Sequence, residues 1–323
     1  MKTLRNDSAI IRAIKKNKKF LVVTHANPDA DAICSALVMS LYLKEQGKTV
    51  YTINADQVPS WLKFLPKSQM IKKIQKKQKI NYDVAIFVDC GDFERVGSVQ
   101  HLIDRNKMII NIDHHVTNKS FGDLNLVMPN ASSTAEVLYG LLKKIGYRLS
   151  RETAILFYSG IMTDTGSFRF ENTTARTHHI ISELLKFSFS VPDLYNRLYE
   201  GIPIGDLKDF MNVISDVQLL YKNQLACVEL TQEDLKRFSG TFDLREKIFS
   251  FLRSFKGVEV IAIFTELRRK KTRVNFRSQN RFNVAKLAGH FNGGGHVRAS
   301  GCTVDETMAT VKKKIIAIVS KDL

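Results

Sequence analysis

Phe20-Leu21-Val22-Val23-Thr24-His25-Ala26-Asn27-Pro28-Asp29-Ala30-Asp31 is the stretch from which the rest of the chain can be read. Its first part, Phe20 to Thr24, reads as a buried strand: the run is continuous and apolar, as in a parallel sheet covered on both faces. A helix-period segment follows from about Asp31 to Gln46, and Gly47 sits where a C′ residue closes a helix. The alternation continues outward. Val50–Asn54, Val84–Val88 and Met108–Ile112 read as further strands. Ser132-Ser133-Thr134-Ala135-Glu136 reads as a capped helix start with Gly146 as its stop, and Glu152–Met162 reads as a helix. This order predicts an α/β fold, a doubly wound and mainly parallel sheet.

The pattern changes after about Phe187. Pro192, Gly201, Pro203 and Gly205 mark a linker with one short helix. Beyond it a helix, strands over Leu225–Leu230 and Val258–Leu267, a basic turn and a strand over Thr272–Phe276 predict a hairpin-containing domain. A helix over Val284–Phe291 then leads into Gly293-Gly294-Gly295-His296. The expected organisation is a first domain over 1–187, a linker over 188–209 and a smaller α/β domain over 210–323.

With 323 residues, the chain is long enough for two ordinary cores. Its 44% hydrophobic and 25% charged residues fit a globular protein and not a disordered one. No apolar run approaches the roughly 18 residues a membrane helix needs, and no apolar segment follows the basic N-terminus as in a signal peptide. Lys+Arg 49 against Asp+Glu 32 leaves +17, an excess that favours a polyanionic partner. The Lys-rich stretch Lys67–Lys79 has partly helical spacing and reads as a solvated helix face. Cys34, Cys90, Cys227 and Cys302 are far apart, which argues against a zinc ribbon or disulfide framework and fits a reducing cytosol.

The chemistry lies at the strand ends. Strand 20–24 runs into His25, Asp29 and Asp31, strand 84–88 into Asp89, and strand 108–112 into Asp113-His114-His115. Ligands of open α/β sheets bind outside the carboxyl ends of the strands, so these groups should meet in one crevice, with Asp164 within reach. Each residue alone reads as a cap or a satisfied polar group; together they do not. So many carboxylates in one place raise each other's pKa unless cations intervene. Imidazole and carboxylate without thiolate suit Mn²⁺ or Mg²⁺. The ligands are too many for one ion, and two ions about 3.5–4 Å apart sharing a carboxylate would use them all.

These motifs, His25-x-x-x-Asp29-x-Asp31, Asp89, Asp113-His114-His115 and Asp164, resemble those of the DHH phosphoesterase family. Gly293–His296 with Ala299 and Gly301 resembles the signature of its DHH-associated C-terminal domain, and the stretch Ser167–Thr174 also resembles the family. In length and order the chain is most similar to the stand-alone bifunctional oligoribonuclease and pAp phosphatase enzymes. The resemblance implies His25, Asp29 and Asp89 around one metal, and Asp31, Asp89, His114 and Asp164 around the other. It implies that His115 contacts the scissile phosphate or protonates the leaving oxygen, and that Asp113 orients an imidazole. It also implies that Arg277, Ser278 and the loop Gly293, Gly294, Gly295 and His296 hold the substrate's other phosphate or base, and it suggests a homodimer. In physical terms, consecutive glycines let backbone amides converge on an anion, Arg277 offers a fork for phosphate, and Arg268 adds to the nearby positive field. Ala30, Cys34, Val297 and Ser300 depart from the family pattern. Cys34 and Cys90 read as packing residues, and His178 and His179 as groups on a helix.

The function expected from this is a two-metal phosphoesterase acting on short oligoribonucleotides and pAp. A phosphodiesterase of cyclic di-AMP or pApA is the alternative. The glycine loop argues against a pyrophosphatase, the length against a processive exonuclease, and the intact motifs against a non-catalytic nucleic-acid-binding protein.

Overall fold

The computed structural model describes residues 4–267 and 270–321. The chain divides into two compact units, Met1–Leu198 and Tyr199–Leu323.

The first unit begins with β1 (Leu4–Arg5), α1 (Asp7–Lys16), β2 (Lys19–Val23), α2 (Ala30–Glu45), β3 (Thr49–Asn54), β4 (Ile71–Lys73) and β5 (Val84–Val88). It continues with β6 (Met108–Asp113), β7 (Leu124–Val127), α3 (Thr134–Ile145), α4 (Arg151–Asp164), α5 (Ala175–Leu184) and α6 (Val191–Tyr199), whose last residue falls in the second unit. The strands form one sheet in the order β1-β7-β6-β5-β2-β3-β4, parallel except for the β1–β7 pair. Every residue of β5 is buried, as its unbroken apolar run demands. Each fully buried side chain such as Phe20 or Phe87 contributes about 1.5–3 kcal/mol. The chain goes from β2 to β3 and β4 on one side, then returns to place β5 against the other side of β2. The order therefore reverses between β2 and β5, where the loops after two neighbouring strands part and leave a crevice.

Helix starts follow local capping. The Asp29 carboxylate accepts from the Ala32 amide at 3.0 Å to open α2, and Ser133 does the same for the Glu136 amide in α3. Gly146 closes α3 in the left-handed conformation. The stretch Lys67–Lys79 corrects the helical expectation. It holds a single 3-10 turn, Ser68–Met70, and the edge strand β4. Ile71 pairs with Thr52 and is buried, so the segment is committed to the sheet, while the exposed Lys72 and Lys73 make that edge unattractive to further strands.

The second unit comprises α7 (Leu207–Ser215), β8 (Gln218–Leu220), β9 (Leu225–Leu230), α8 (Gln232–Arg237), α9 (Leu244–Arg253) and β10 (Val260–Leu267). β11 (Lys271–Ser278), α10 (Val284–Gly289), β12 (Gly294–Gly295), β13 (Ala299–Val304) and α11 (Met308–Val319) complete it. The sheet order is β12-β13-β11-β10-β9-β8, and the β9–β10 pair is the parallel one. β11 alternates buried and half-buried positions, so Val274 and Phe276 enter one core while Arg273 and Arg277 lie on the opposite face. Among the described residues no helix is long and apolar enough to cross a membrane.

Candidate metal centre

The loops after β2, β5 and β6 and the end of α4 bring the candidate ligands together. His25 Nε2 lies 3.7 Å from Asp29 Oδ2 and 3.5 Å from Asp89 Oδ2. His114 Nε2 lies 3.0 Å from Asp164 Oδ2 and 3.7 Å from Asp89 Oδ1. His25, Asp29 and Asp89 thus form one group and Asp31, His114 and Asp164 a second, and within each group the ligand atoms are within 4.8 Å of one another. Asp89 turns one oxygen to each. It does so from a left-handed backbone (φ 59°), a conformation costly for a side chain other than glycine and typical of functional sites.

The rings are aimed by their other nitrogens. His25 Nδ1–H donates to the Ala26 carbonyl at 2.9 Å and His114 Nδ1–H to the Ala131 carbonyl at 3.3 Å, which turns both Nε2 atoms towards the carboxylates. His115 Nδ1–H donates to Asp113 Oδ1 at 2.7 Å, and the Asn118 amide donates to the other Asp113 oxygen. Asp113 is fully buried and sits behind His115, outside both groups.

Electrostatics show what the cluster lacks. Burial alone would lower the His25 imidazole, yet its contacts with Asp29 and Asp89 hold its pKa up at about 10. His114 is likewise raised against its burial, by Asp164 and Asp89. Burial opposes ionisation of Asp89 too, but His25, His115 and His114 hold it well below the usual carboxylate range. Asp31 and Asp164 are pushed up, by burial first and then by the neighbouring carboxylates. The carboxylates thus favour positive charge beside them, a role that divalent cations fill well. The donor set of oxygens and imidazole nitrogens fits such cations. α4 packs tightly against one of these carboxylates: a Cβ on Gly160 would stand 2.8 Å from Asp31 Oδ1 and 2.9 Å from Ala135 Cβ.

Comparison with known proteins agrees. The model of the DHH family, N-terminal domain, matches residues 19–161, and that of the DHHA1 domain matches 237–321. The bifunctional oligoribonuclease and PAP phosphatase NrnA of Thermus thermophilus is 31% identical over 283 residues, covering 88% of this chain and 83% of the relative. The chain belongs to the DHH phosphoesterase family. The NrnA protein of Bacillus subtilis is 29% identical over 303 residues, 91% of this chain and 92% of its own. A solved exopolyphosphatase-related protein from Bacteroides fragilis has 27% identity and a TM-score of 0.83, covering 96% of this chain and 95% of that one.

In the second unit of this DHH phosphoesterase the residues expected to bind substrate are engaged internally. Arg277 donates to Glu246 Oε2 at 3.2 Å and stacks 4.6 Å from the centre of the Phe249 ring. Ser278 is buried and gives its hydroxyl to the Phe282 carbonyl at 2.7 Å. The glycine loop corrects the expectation of converging amides. Gly294 and Gly295 pair with Gly301 and Ser300 of β13, the Gly293 amide donates to Ala288, and that of the half-buried His296 donates to Ala299. The glycines serve close approach: a Cβ on Gly293 would stand 2.3 Å from the Gly301 carbonyl oxygen. Arg268 lies outside the described residues. Cys34 and Cys90 are buried beside the centre with thiols pushed up by burial, consistent with packing.

Several contributors to the centre carried no functional signal in the sequence. Thr134 and Ala135 donate their amides to Asp31 at 2.7 and 3.0 Å, and the Thr134 hydroxyl donates to Asp89 Oδ1 at 2.8 Å. Ser132–Glu136 reads only as a helix start, and its partners lie 45 to 104 residues away.

Proposed function

We propose that the chain hydrolyses short oligoribonucleotides to mononucleotides and pAp to AMP and phosphate, using two divalent cations, with Mn²⁺ preferred to Mg²⁺. The observation that carries this reading is the pairing of the His25–Asp29 and Asp31–His114–Asp164 groups around one carboxylate, Asp89. Its substrate class rests on the relatives named bifunctional oligoribonuclease and PAP phosphatase. When bound, the cations supply Lewis acidity for the phosphoryl oxygens and lower the pKa of the attacking water.

In the hydrolysis the water oxygen bonds to phosphorus and the bond from phosphorus to the ribose oxygen breaks. One water proton stays on the new phosphate and the equivalent of the other reaches the ribose oxygen. His115 is the group that delivers it: Asp113 holds Nδ1, so Nε2 faces the leaving oxygen. Arg277 takes the substrate's other phosphate by exchanging Glu246 for two phosphate oxygens. Ser278 supports it through the Phe282 carbonyl, and the Gly293–His296 loop borders the same site. The reading extends to a cytoplasmic location, in keeping with four free, buried cysteines, and to a homodimer, as in the family it resembles.

The test is release of mononucleotide and phosphate with Mn²⁺ from pAp, RNAs of two to five nucleotides, pApA and cyclic di-AMP, side by side. Turnover of pAp and the short RNAs is expected. A wide preference for cyclic di-AMP would replace this reading with the alternative.

A further inference from the structure

One short loop touches three of the ligands proposed above. The Ala131 carbonyl accepts from His114 Nδ1, the Thr134 and Ala135 amides hold both oxygens of Asp31, and the Thr134 hydroxyl holds Asp89 Oδ1. The loop is itself locked. Glu136, 1% exposed, accepts the Ser132 hydroxyl at 2.6 Å and the Thr177 hydroxyl from α5 at 3.0 Å, and Arg176 stands 3.3 Å from its other oxygen. The Asn172 amide bridges the Ser132 and Asp164 carbonyls at 2.9 and 3.0 Å. The Asp89 contact is the informative one. Oδ1 lies 2.8 Å from the Thr134 hydroxyl and faces His114, while Oδ2 faces His25. A carboxylate shared by two ions needs this division, and nothing in a freely turning side chain imposes it.

We infer that Thr134 is a positioning residue whose hydroxyl commits the two oxygens of Asp89 to the two halves of the metal centre. The inference rests on the proposed two-cation reading. A hydroxyl donated to one oxygen fixes the carboxylate plane and leaves that oxygen's second lone pair, with both lone pairs of Oδ2, to other partners. Outer partners of this kind typically govern metal affinity by about 10- to 100-fold.

The experiment is Mn²⁺ titration of the metal-stripped full chain by calorimetry, with electron paramagnetic resonance at two equivalents to detect exchange coupling between paired ions. Thr134→Val removes the hydroxyl at equal volume, Thr134→Ser retains it, and Thr134→Ala serves if the valine variant does not fold. The hydroxyl-free variant should bind the second Mn²⁺ about 10- to 100-fold more weakly and lose the coupled signal. Thr134→Ser should restore both. Melting in EDTA separates this from a structural role, which would lower the melting temperature of the stripped protein and leave the coupled signal intact. Unchanged stoichiometry, affinity and coupled signal in the hydroxyl-free variant overturn the inference alone. An unsubstituted protein that binds no Mn²⁺ overturns the centre and the inference with it.

Discussion

In the first unit Asp29 and Asp89 group with His25, and Asp31 and Asp164 with His114, and the carboxylates raise the pKa of both imidazoles against their burial. In the second unit Arg277 rests on Glu246 and Phe249, Ser278 on the Phe282 carbonyl, and the glycine loop on β13. The first arrangement concentrates acceptors that need a cation. The second is satisfied internally, so on the proposed reading a ligand there would have to exchange partners, which keeps the net gain small. Loss of chemistry should therefore follow changes in the first unit, and loss of substrate affinity changes in the second.

The largest expected effect is that of Asp89→Ala. Removing the shared carboxylate should cut phosphate release from pAp on the order of a thousandfold or more and lower bound Mn²⁺, read by elemental analysis of the dialysed protein. Hydrolysis at the original rate would end the two-group reading of the first unit. Gly160→Ala comes next. Its Cβ would press on Asp31 and Ala135 at 2.8 and 2.9 Å, at a cost of about 1–3 kcal/mol in a thermal or urea melt and about tenfold in Mn²⁺ affinity. Full Mn²⁺ affinity in that variant would show that Asp31 needs no close support from α4.

Arg277→Ala tests the other side of the comparison. KM for pAp should rise about tenfold, or ~1.4 kcal/mol, with Mn²⁺ binding unchanged. Glu246→Gln should move KM the opposite way by a smaller factor, because Arg277 then leaves a weaker partner. A fall in bound metal in either variant would break the division between the units.

The smallest effect is acid stability at the α3–α5 contact, within the first unit but away from the ligand cluster. Lys143 first, at 2.6 Å, and then Tyr139 pull the Glu183 carboxyl down to about 2 from 4.5. The folded value lies below the unfolded one, so this contribution is present above pH 4.5 and fades as pH falls towards 2. Lys143 is largely exposed, so screening limits the contribution to less than about 1 kcal/mol. Urea melts from pH 6 to 3 should fall slightly less steeply for Glu183→Gln; identical slopes would remove the contact from the stability of α5.

Much of the centre was legible because its residues follow strands that announce themselves. Val84–Val88 is continuous and apolar, and Asp89 is simply what comes after it. The same holds for Asp113, which ends β6, with His114 and His115 after it, and for His25 after β2. Short or weakly patterned elements escaped. β7 is Leu-Asn-Leu-Val and β12 is two glycines, and neither shows a period long enough to read. The lysines of Lys67–Lys79 mimic a helix face, and only pairing of Ile71 with Thr52 decides that the segment is an edge strand. The glycine loop misled in a different way. Glycine signals that a side chain would collide, and the sequence does not say whether the obstacle is an anion or, as found, the neighbouring strand.

Read without coordinates, the chain specifies which residues terminate its strands, in what order, and that their chemistry requires cations. These are local properties, written in unbroken apolar runs and in the polar residues that stop them. Folding decides which of those ends become neighbours. Placing β5 beside β2 puts Asp89 next to His25, and the start of α3 supplies the amides and hydroxyl that hold Asp31 and Asp89. Those contacts join residues as far as 104 positions apart. They depend on sheet order and helix packing, which no short window of sequence encodes.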